Sequence, residues 1–245
     1  MINLALSLAA GVVAFLAFWL SGLTHPIGAA LPGLVAAGVA YFLLARRSVR
    51  LLEAVMAQAQ KELATRKLDR AIAIMEGAFP LGRWQFLVAS QLHGQIGSLL
   101  YVQKKFDDAE PHLRKSFVKM WSARGMLAAH QFRKKQYAEM EETFEAALRA
   151  NKNESLLYAA YAWCQDKRGE RKKAIEILQR GVKENPSDEK LKTLLGRAQN
   201  DKRMKLDNAY GEQWWQFWLE NPPAAMGPQG STGFQPFGGR ARFRR

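Results

Sequence analysis

The first 45 residues of the chain, Met1–Ala45, contain no Asp, Glu, Lys or Arg. Two apolar stretches fill this region, at about residues 2–23 and 27–45, and they are separated by His25 and Pro26. A helix that crosses a bilayer needs about 20 apolar residues, and within lipid a single segment satisfies its backbone polar groups only as a helix. The sequence therefore predicts two transmembrane helices joined by a tight turn, which form a helical hairpin over residues 1–47.

A secretory signal peptide is the alternative interpretation of this region. Such a peptide has a positive first segment and a short apolar core, whereas no Lys or Arg precedes Arg46. Arg46, Arg47 and Arg50 directly follow the second stretch, and Lys and Arg beside membrane helices remain on the cytoplasmic side. We therefore expect both termini and the remainder of the chain to lie in the cytoplasm.

Small residues recur at four-residue spacing in the second stretch, at Ala29, Gly33 and Ala37. This spacing lets the backbones of two membrane helices approach closely. Packing within the hairpin is favoured over dimerisation through this face.

The formal net charge of +14 belongs entirely to residues 46–245. A strongly basic domain favours anionic surroundings such as lipid headgroups, acidic proteins or nucleic acid, although a solvated surface beside an anionic membrane explains the charge equally well. Cys164 is the single cysteine, so the fold does not depend on an internal disulfide.

Four segments between residues 68 and 181 share one pattern. Each begins a helix, has a small or apolar residue three positions later, a large apolar residue four positions after that, and a small residue after three more. Spacings of three and four place these side chains on one helical face. The four quartets are Leu68/Ala71/Met75/Ala78, Phe106/Ala109/Leu113/Ser116, Tyr137/Met140/Phe144/Ala147 and Arg171/Ala174/Leu178/Gly181.

This pattern resembles the second helix of the tetratricopeptide repeat (TPR), whose period is 34 residues. The first helix of the last repeat has Tyr158, Tyr161 and Ala162 at motif positions. Gly169 stands at the turn to the second helix, and Pro186 closes the repeat. The resemblance implies an all-α fold in which the hairpin is followed by a TPR-like α-solenoid with a C-terminal capping helix, over residues 48–220. An unrelated helical solenoid is the alternative. The repeats are expected at about 52–86, 90–120, 121–154 and 155–188. In a final helix, Leu195 and Gly196 take the positions that Tyr161 and Ala162 hold in the fourth repeat, where a small residue lets neighbouring helices approach closely.

TPR arrays bind extended or helical peptides on a concave surface lined by the first helices of the repeats. The positions of that groove, carried over by the resemblance, are Gln91, Ser98, Tyr101, Phe132, Arg133, Trp163, Lys167 and Arg197. This mixture of rings and cations suits a ligand with apolar anchors and some negative charge. The alternative is that several of these aromatic side chains pack between repeats.

The chain from Asp188 is predicted to be one long helix, interrupted around Asn208–Gly211. It ends in an aromatic cluster that includes Trp214, Trp215 and Trp218. The cluster could cap the last repeat, lie in the headgroup layer or dock into a partner. Capping is the interpretation that the sequence favours.

Residues 221–245 are rich in Gly and Pro and end in a cluster of arginines. Such a composition predicts a disordered basic tail. Anionic lipid or nucleic acid could bind it, but four arginines are too few to predict nucleic-acid binding. The cluster is Arg240, Arg242, Arg244 and Arg245.

The sequence has no phosphate-binding glycine loop, no dinucleotide motif and no Cys-x-x-Cys pair. His93, His112 and His130 are far apart in the chain and have no metal-ligand spacing, and Cys164 lies inside a repeat helix. We therefore expect no enzyme activity, no cofactor and no metal.

These features together predict a scaffold or adaptor, anchored in a membrane, that recruits protein partners at its cytoplasmic face. The layout is similar to bacterial membrane proteins with two N-terminal helices followed by TPRs, such as the HemY type, which implies the bacterial inner membrane. Three alternatives remain open: a structural subunit that self-assembles in the membrane, a basic tether for nucleic acid or ribosomes, and an accessory subunit of an enzyme. The identity of the partner is not predicted.

Overall fold

The computed structural model describes residues 1–22, 25–85 and 87–221 of the chain. All regular structure in these ranges is helical. The chain divides into two compact units, Met1–Leu92 and His93–Arg245. The predicted basic tail, including its four arginines, lies outside the described residues, as does Thr24 in the turn of the hairpin.

The first unit contains the two apolar helices, α1 (Ile2–Leu20) and α2 (Pro26–Ala64). Both are long and apolar enough to span a membrane, with mean hydropathies of 2.1 and 2.0. The rest of the unit is α3 (Leu68–Glu76), a 3-10 helix (Phe79–Arg83) and the beginning of α4 (Val88–Val102).

The second apolar helix does not end near residue 45, as the sequence had predicted, but continues to Ala64. Residues 46–64 contain neither Gly nor Pro, so nothing terminates the helix when the apolar stretch ends. At 1.5 Å per residue, α2 is about 58 Å long, nearly twice the thickness of a bilayer's hydrocarbon core. Its second half packs with α3 as the first helical pair, and Ala59 and Ala71 are fully buried.

The two long helices approach closely at Gly11 and Gly33. A Cβ atom placed on Gly11 would lie 2.8 Å from the Cβ of Ala37 and 2.9 Å from the carbonyl oxygen of Gly33. The predicted role of the small residues in packing within the hairpin is confirmed. At the N-terminal end of α1, the buried Asn3 amide donates a hydrogen bond of 2.9 Å to the Ser48 hydroxyl.

The second unit continues as helical pairs. The second and third quartet positions predicted for α5 (Phe106–Arg114), α7 (Tyr137–Ala150) and α9 (Arg171–Glu184) point inward, and Ala109, Met140 and Ala174 are fully buried. The large residues Leu113, Phe144 and Leu178 are buried beside them. The helices are α5 (Phe106–Arg114), α6 (Trp121–Arg133), α7 (Tyr137–Ala150), α8 (Ser155–Lys167), α9 (Arg171–Glu184), α10 (Glu189–Gln199), α11 (Leu206–Tyr210) and α12 (Glu212–Trp215).

Among the described residues, one turn geometry recurs five times. The turns are centred on Arg66, Lys104, Lys135, Gly169 and Asp201, and all five residues have φ between 51° and 86°. In each turn this residue donates its N–H to the carbonyl three positions back, and the next residue donates to the carbonyl five positions before it. These are the two hydrogen bonds of a Schellman motif. The repeated unit is therefore a pair of helices joined by one fixed turn, and the pairing begins with α2.

The structure corrects the prediction for the final helix. The helix that starts at Glu189 ends at Gln199, where the fifth turn follows. The guanidinium of Arg171 donates to the carbonyl oxygens of Ala198 at 3.1 Å and Lys202 at 2.7 Å, which satisfies acceptors that the end of a helix leaves free. Gly196 is half-buried and a Cβ on it would meet nothing within 4 Å, so it does not mark a close helix approach.

Candidate docking surface

The residues after the fifth turn, 204–220, fold back onto the second unit. We call them the C-terminal segment. It contributes Met204, Leu206, Tyr210, Trp214 and Phe217 to the core, and the side chains between them are half-buried or exposed. Burial of a large apolar side chain is worth about 1.5–3 kcal/mol, so five such residues hold the segment firmly against the repeats.

The first helices of successive repeats receive this segment. The Tyr101 hydroxyl in α4 donates a hydrogen bond of 2.8 Å to the carbonyl oxygen of Phe217. The Phe217 ring lies against Gly125 in α6, where an added Cβ would be 2.6 Å from the ring. Trp214 packs edge-on against Trp163 of α8, with ring centroids 5.4 Å apart. The surface predicted to bind a peptide is therefore occupied by the chain's own C-terminal segment.

The predicted membrane or partner anchor is thereby corrected for Trp214, whose side chain is 1% exposed. Trp215 and Trp218 are half-buried and pack against the same core. The Trp214 indole N–H donates to the Glu220 carboxylate at 3.0 Å. Capping of the repeats, the interpretation that the sequence favoured, agrees with these contacts.

The eight predicted groove residues fall into different environments. Gln91 belongs to the first unit and is half-buried. Within the second unit, Ser98, Tyr101 and Trp163 are buried, Phe132 and Arg197 are half-buried, and Arg133 and Lys167 are exposed. The buried residues are structural contacts in this state, which agrees with the alternative interpretation of packing between repeats.

Among the described residues of the second unit, five exposed cations lie over aromatic rings. Arg180, over Tyr158, is paired with Glu145, and Lys190 lies over Tyr210 at the start of α10. The other three stand at or just after the ends of α4, α6 and α8. Lys104 Nζ is 4.3 Å from the centroid of Trp218, the Arg133 guanidinium is 3.7 Å from Phe106, and Lys167 Nζ is 5.1 Å from Trp163. We call these three cations with their rings the cation–aromatic surface. Within the described ranges, none of the three cations forms an ion pair with a carboxylate.

The cation–aromatic surface was predicted only in part. Arg133 and Lys167 were found from the TPR resemblance, whereas Lys104 was missed. It occupies the left-handed position of the second Schellman turn, and the sequence signal for such a position is usually Gly rather than Lys. Arg133 also acts on Tyr101: burial raises the pKa of the Tyr101 hydroxyl, and the nearby guanidinium opposes that rise.

Another set of charges is neutralised internally. Asp107, Glu110 and His130 offer ligand atoms within 4.8 Å of one another, a convergence that the sequence did not reveal. Lys134 Nζ, however, lies 3.0 Å from Asp107 and 2.8 Å from Glu110, and Arg114 is 2.7 Å from Glu110. The hydrogen bond from Lys134, reinforced by Arg114, lowers the pKa of Glu110 to about 2. This arrangement is an ion-pair network in which the Lys134 ammonium bridges Asp107 and Glu110.

Two further candidates from the sequence are placed by the structure. The Nδ1 atoms of His93 and His112 are 3.2 Å apart, so these two histidines converge as a pair. Cys164 is fully buried, and burial raises the pKa of its thiol. A thiol in that state is not a nucleophile.

A family profile described as tetratricopeptide repeat matches residues 131–198. The matched region extends from the end of α6 through α7, α8 and α9 to α10. The TPR resemblance is therefore confirmed for this part of the chain. No curated protein and no solved structure matches the chain.

Proposed function

We propose that the chain is a scaffold or adaptor, anchored in the bacterial inner membrane by its N-terminal hairpin, that recruits a protein partner in the cytoplasm. The match to the tetratricopeptide repeat over residues 131–198 supports the interaction role. The apolar helices α1 and α2 support the anchoring. Arg46, Arg47 and Arg50, which follow the apolar stretch, support a cytoplasmic repeat domain.

We assign partner binding to the cation–aromatic surface because Lys104, Arg133 and Lys167 lie over aromatic rings. Each cation is exposed, and within the described ranges none is paired with a carboxylate. Rings hold the side-chain stems in place, which reduces the entropy lost when a partner binds. A partner that presents Asp or Glu side chains would complement this surface and would be steered toward it by the net positive charge.

The proposed role is non-catalytic and uses no cofactor or metal. Cys164 is enclosed in α8, and Glu110 is engaged by Lys134 and Arg114. In this proposal the two groups serve packing and ion pairing rather than chemistry.

Anchoring and orientation can be tested separately from partner binding. In sealed inverted inner-membrane vesicles, externally added protease should cut within the repeat domain, and alkaline carbonate should not extract the protein. In intact spheroplasts the repeat domain should be protected from external protease. Release by carbonate, or cleavage in spheroplasts, would contradict the proposed anchoring or orientation.

Recruitment can be tested by affinity capture of the tagged full-length protein in mild detergent. The variant Lys104→Ala/Arg133→Ala/Lys167→Ala should lose a partner that wild type retains. The matched control Lys119→Ala/Lys172→Ala/Lys183→Ala removes the same charge from exposed residues that form no cation–π pair among the described ones and should retain the partner.

Three results would contradict the proposed surface. The two triple variants could lose the partner equally, both could retain it, or only copies of the chain itself could be recovered. The last result would favour the self-assembling structural subunit.

A further inference from the structure

Exposed apolar side chains are confined to one part of the described chain. Every exposed large hydrophobic residue lies at or before Leu51, with the exception of Trp84, which is 41% exposed. Residues up to Leu51 belong to the hairpin and its immediate extension, where exposure to lipid explains them. Trp84 is outside that region of the sequence, and its exposure needs a separate reason.

The contacts of Trp84 place it beside the first turn of α1. Its carbonyl oxygen accepts a hydrogen bond of 3.3 Å from the Asn3 N–H, and the preceding Arg83 carbonyl accepts from the nitrogen of Met1. The first N–H groups of a helix have no partner within the helix. The 3-10 helix Phe79–Arg83 with Trp84 therefore caps the end of α1, which fixes Trp84 at that level of the hairpin.

Polar and aromatic residues meet at this level of the hairpin. The polar pair Asn3 and Ser48 is buried there between α1 and α2, and Tyr41, which is 37% exposed, is close by. An open, mostly apolar pocket of about 270 Å³ is lined by Tyr41 and Trp84 together with Met1, Asn3, Leu4 and Gln85. Trp and Tyr are enriched where the headgroups meet the hydrocarbon core.

Basic residues accompany these rings in the chain. Arg46 and Arg47 are exposed and directly precede Ser48, and Arg83 is exposed and directly precedes Trp84. Exposed arginines that are close in sequence to the residues lining an apolar pocket suit a ligand that has a hydrocarbon part and an anionic headgroup.

We propose that Phe79–Trp84 is a lipid-contact site at which Trp84 and Tyr41 bind a phospholipid of the surrounding bilayer. The indole of Trp84 lies in the headgroup layer, the pocket accepts the glycerol and first acyl carbons, and Arg46, Arg47 and Arg83 favour an anionic headgroup. This inference rests on the proposed membrane hairpin. It adds a contact after α3 that the hydrophobic stretches do not include.

Site-directed spin labelling of the full chain tests the proposal in vesicles of phosphatidylcholine and phosphatidylglycerol. Cys164 is fully buried, so the wild-type background labels only at an introduced cysteine. The labelled positions are Trp84→Cys, with Val35→Cys in the hairpin and Lys172→Cys in α9 as references. Accessibility to oxygen and to a water-soluble nickel chelate gives the depth of each label.

The expected order is hydrocarbon depth at position 35, headgroup depth at position 84 and an aqueous reading at position 172. An aqueous reading at 84 beside a hydrocarbon reading at 35 would overturn the lipid-contact site and leave the membrane hairpin standing. A label at 84 as deep as at 35 would also overturn the headgroup placement. An aqueous reading at 35 would overturn the hairpin and the site together.

A second label keeps the tryptophan in place. With Arg83→Cys labelled, the chain that retains Trp84 should show lower nickel accessibility than the same chain carrying Trp84→Ala. Replacement of phosphatidylglycerol by phosphatidylcholine should reduce this difference. Equal accessibility in the two chains would show that the indole does not hold the segment at the lipid, and would overturn the proposal.

Discussion

The hydroxyl of Tyr101 donates a hydrogen bond to the main-chain oxygen of Phe217, 116 residues further along the chain. This contact joins the first helix of one repeat to the C-terminal segment. The segment thereby fills a surface that, in the TPR resemblance, is the peptide-binding groove. Under the proposed function, a partner would meet Lys104, Arg133 and Lys167, which lie over rings.

Removal of that hydrogen bond should weaken the attachment of the segment. Tyr101→Phe leaves the buried Phe217 carbonyl without its donor, and we expect a loss of about 1–3 kcal/mol in the free energy of unfolding. Urea unfolding in mild detergent, followed by tryptophan fluorescence, measures the change. The control Tyr137→Phe removes a hydroxyl that forms no hydrogen bond among the described residues. An equal loss in both variants would contradict the role assigned to the Tyr101 hydroxyl.

Steric displacement of Phe217 gives a second test. Gly125→Ala adds a methyl group 2.6 Å from the Phe217 ring, and overpacking of this kind costs about 1–3 kcal/mol. Limited proteolysis should therefore cut between residues 199 and 221 faster than in wild type. Gly196→Ala is the matched control, because its added Cβ meets nothing within 4 Å and alanine favours a helix. Unchanged cleavage in Gly125→Ala would be inconsistent with the observed packing.

The recurring turn predicts a substitution that stabilises the protein. Lys135 has φ of 60°, a conformation that disfavours a side chain and that glycine adopts without strain. Lys135→Gly should raise the free energy of unfolding by about 1 kcal/mol or less, whereas Gly169→Lys should lower it by a similar amount. Thermal unfolding of the two variants measures both changes. A free energy of unfolding that is lower in Lys135→Gly than in wild type would contradict the turn assignment.

The ion-pair network around Glu110 predicts a dependence on pH. Its pKa in the folded protein is lowered from 4.5 to about 2, mainly by the hydrogen bond from Lys134. A lowered carboxyl pKa stabilises the fold fully above 4.5, and this contribution is lost as the pH falls from 4.5 toward 2. Unfolding midpoints measured across that range should fall less steeply in Glu110→Gln than in wild type.

Glu176→Gln is the control for that series. Glu176 is exposed and, among the described residues, has no ion-pair partner, so its replacement should leave the slope unchanged. Glu141 is expected to behave like Glu110: burial alone would raise its pKa, but hydrogen bonds from Lys173, Gln165 and Arg168 outweigh burial and lower it to about 2. Identical slopes for Glu110→Gln and wild type would contradict the assigned network.

The repeat core was predictable because its signal is local. Spacings of three and four in one helix determine which side chains share a face, and Ala109, Phe144 and Ala174 are buried as the pattern predicts. The two apolar helices were equally predictable, since a run without charge has few other stable arrangements. The end of α2 was not, because only the loss of hydrophobicity near residue 45 was visible and that loss does not stop a helix.

Features that depend on contacts distant in sequence were predicted less well. A fixed period of 34 residues placed a close approach at Gly196, but the actual steps between turns are 38, 31, 34 and 32 residues. Ala162 is buried seven residues before the turn at Gly169, and Leu194 is the buried residue seven positions before the turn at Asp201. Trp214 could cap, anchor or dock as far as sequence shows, since its partner Trp163 lies in another helix. The capping of α1 by Trp84 has no local signal at all.

Site-specific photo-crosslinking in intact membranes would examine the proposed docking surface where it operates. A benzophenone amino acid is placed at Arg133 or Lys167 in the full chain, with Lys172 and Lys183 as exposed control positions, and the products are identified by mass spectrometry. The scaffold proposal predicts a covalent product with one other protein from positions 133 and 167, and none from the controls. The same products from all four positions, or products with the chain itself alone, would contradict it.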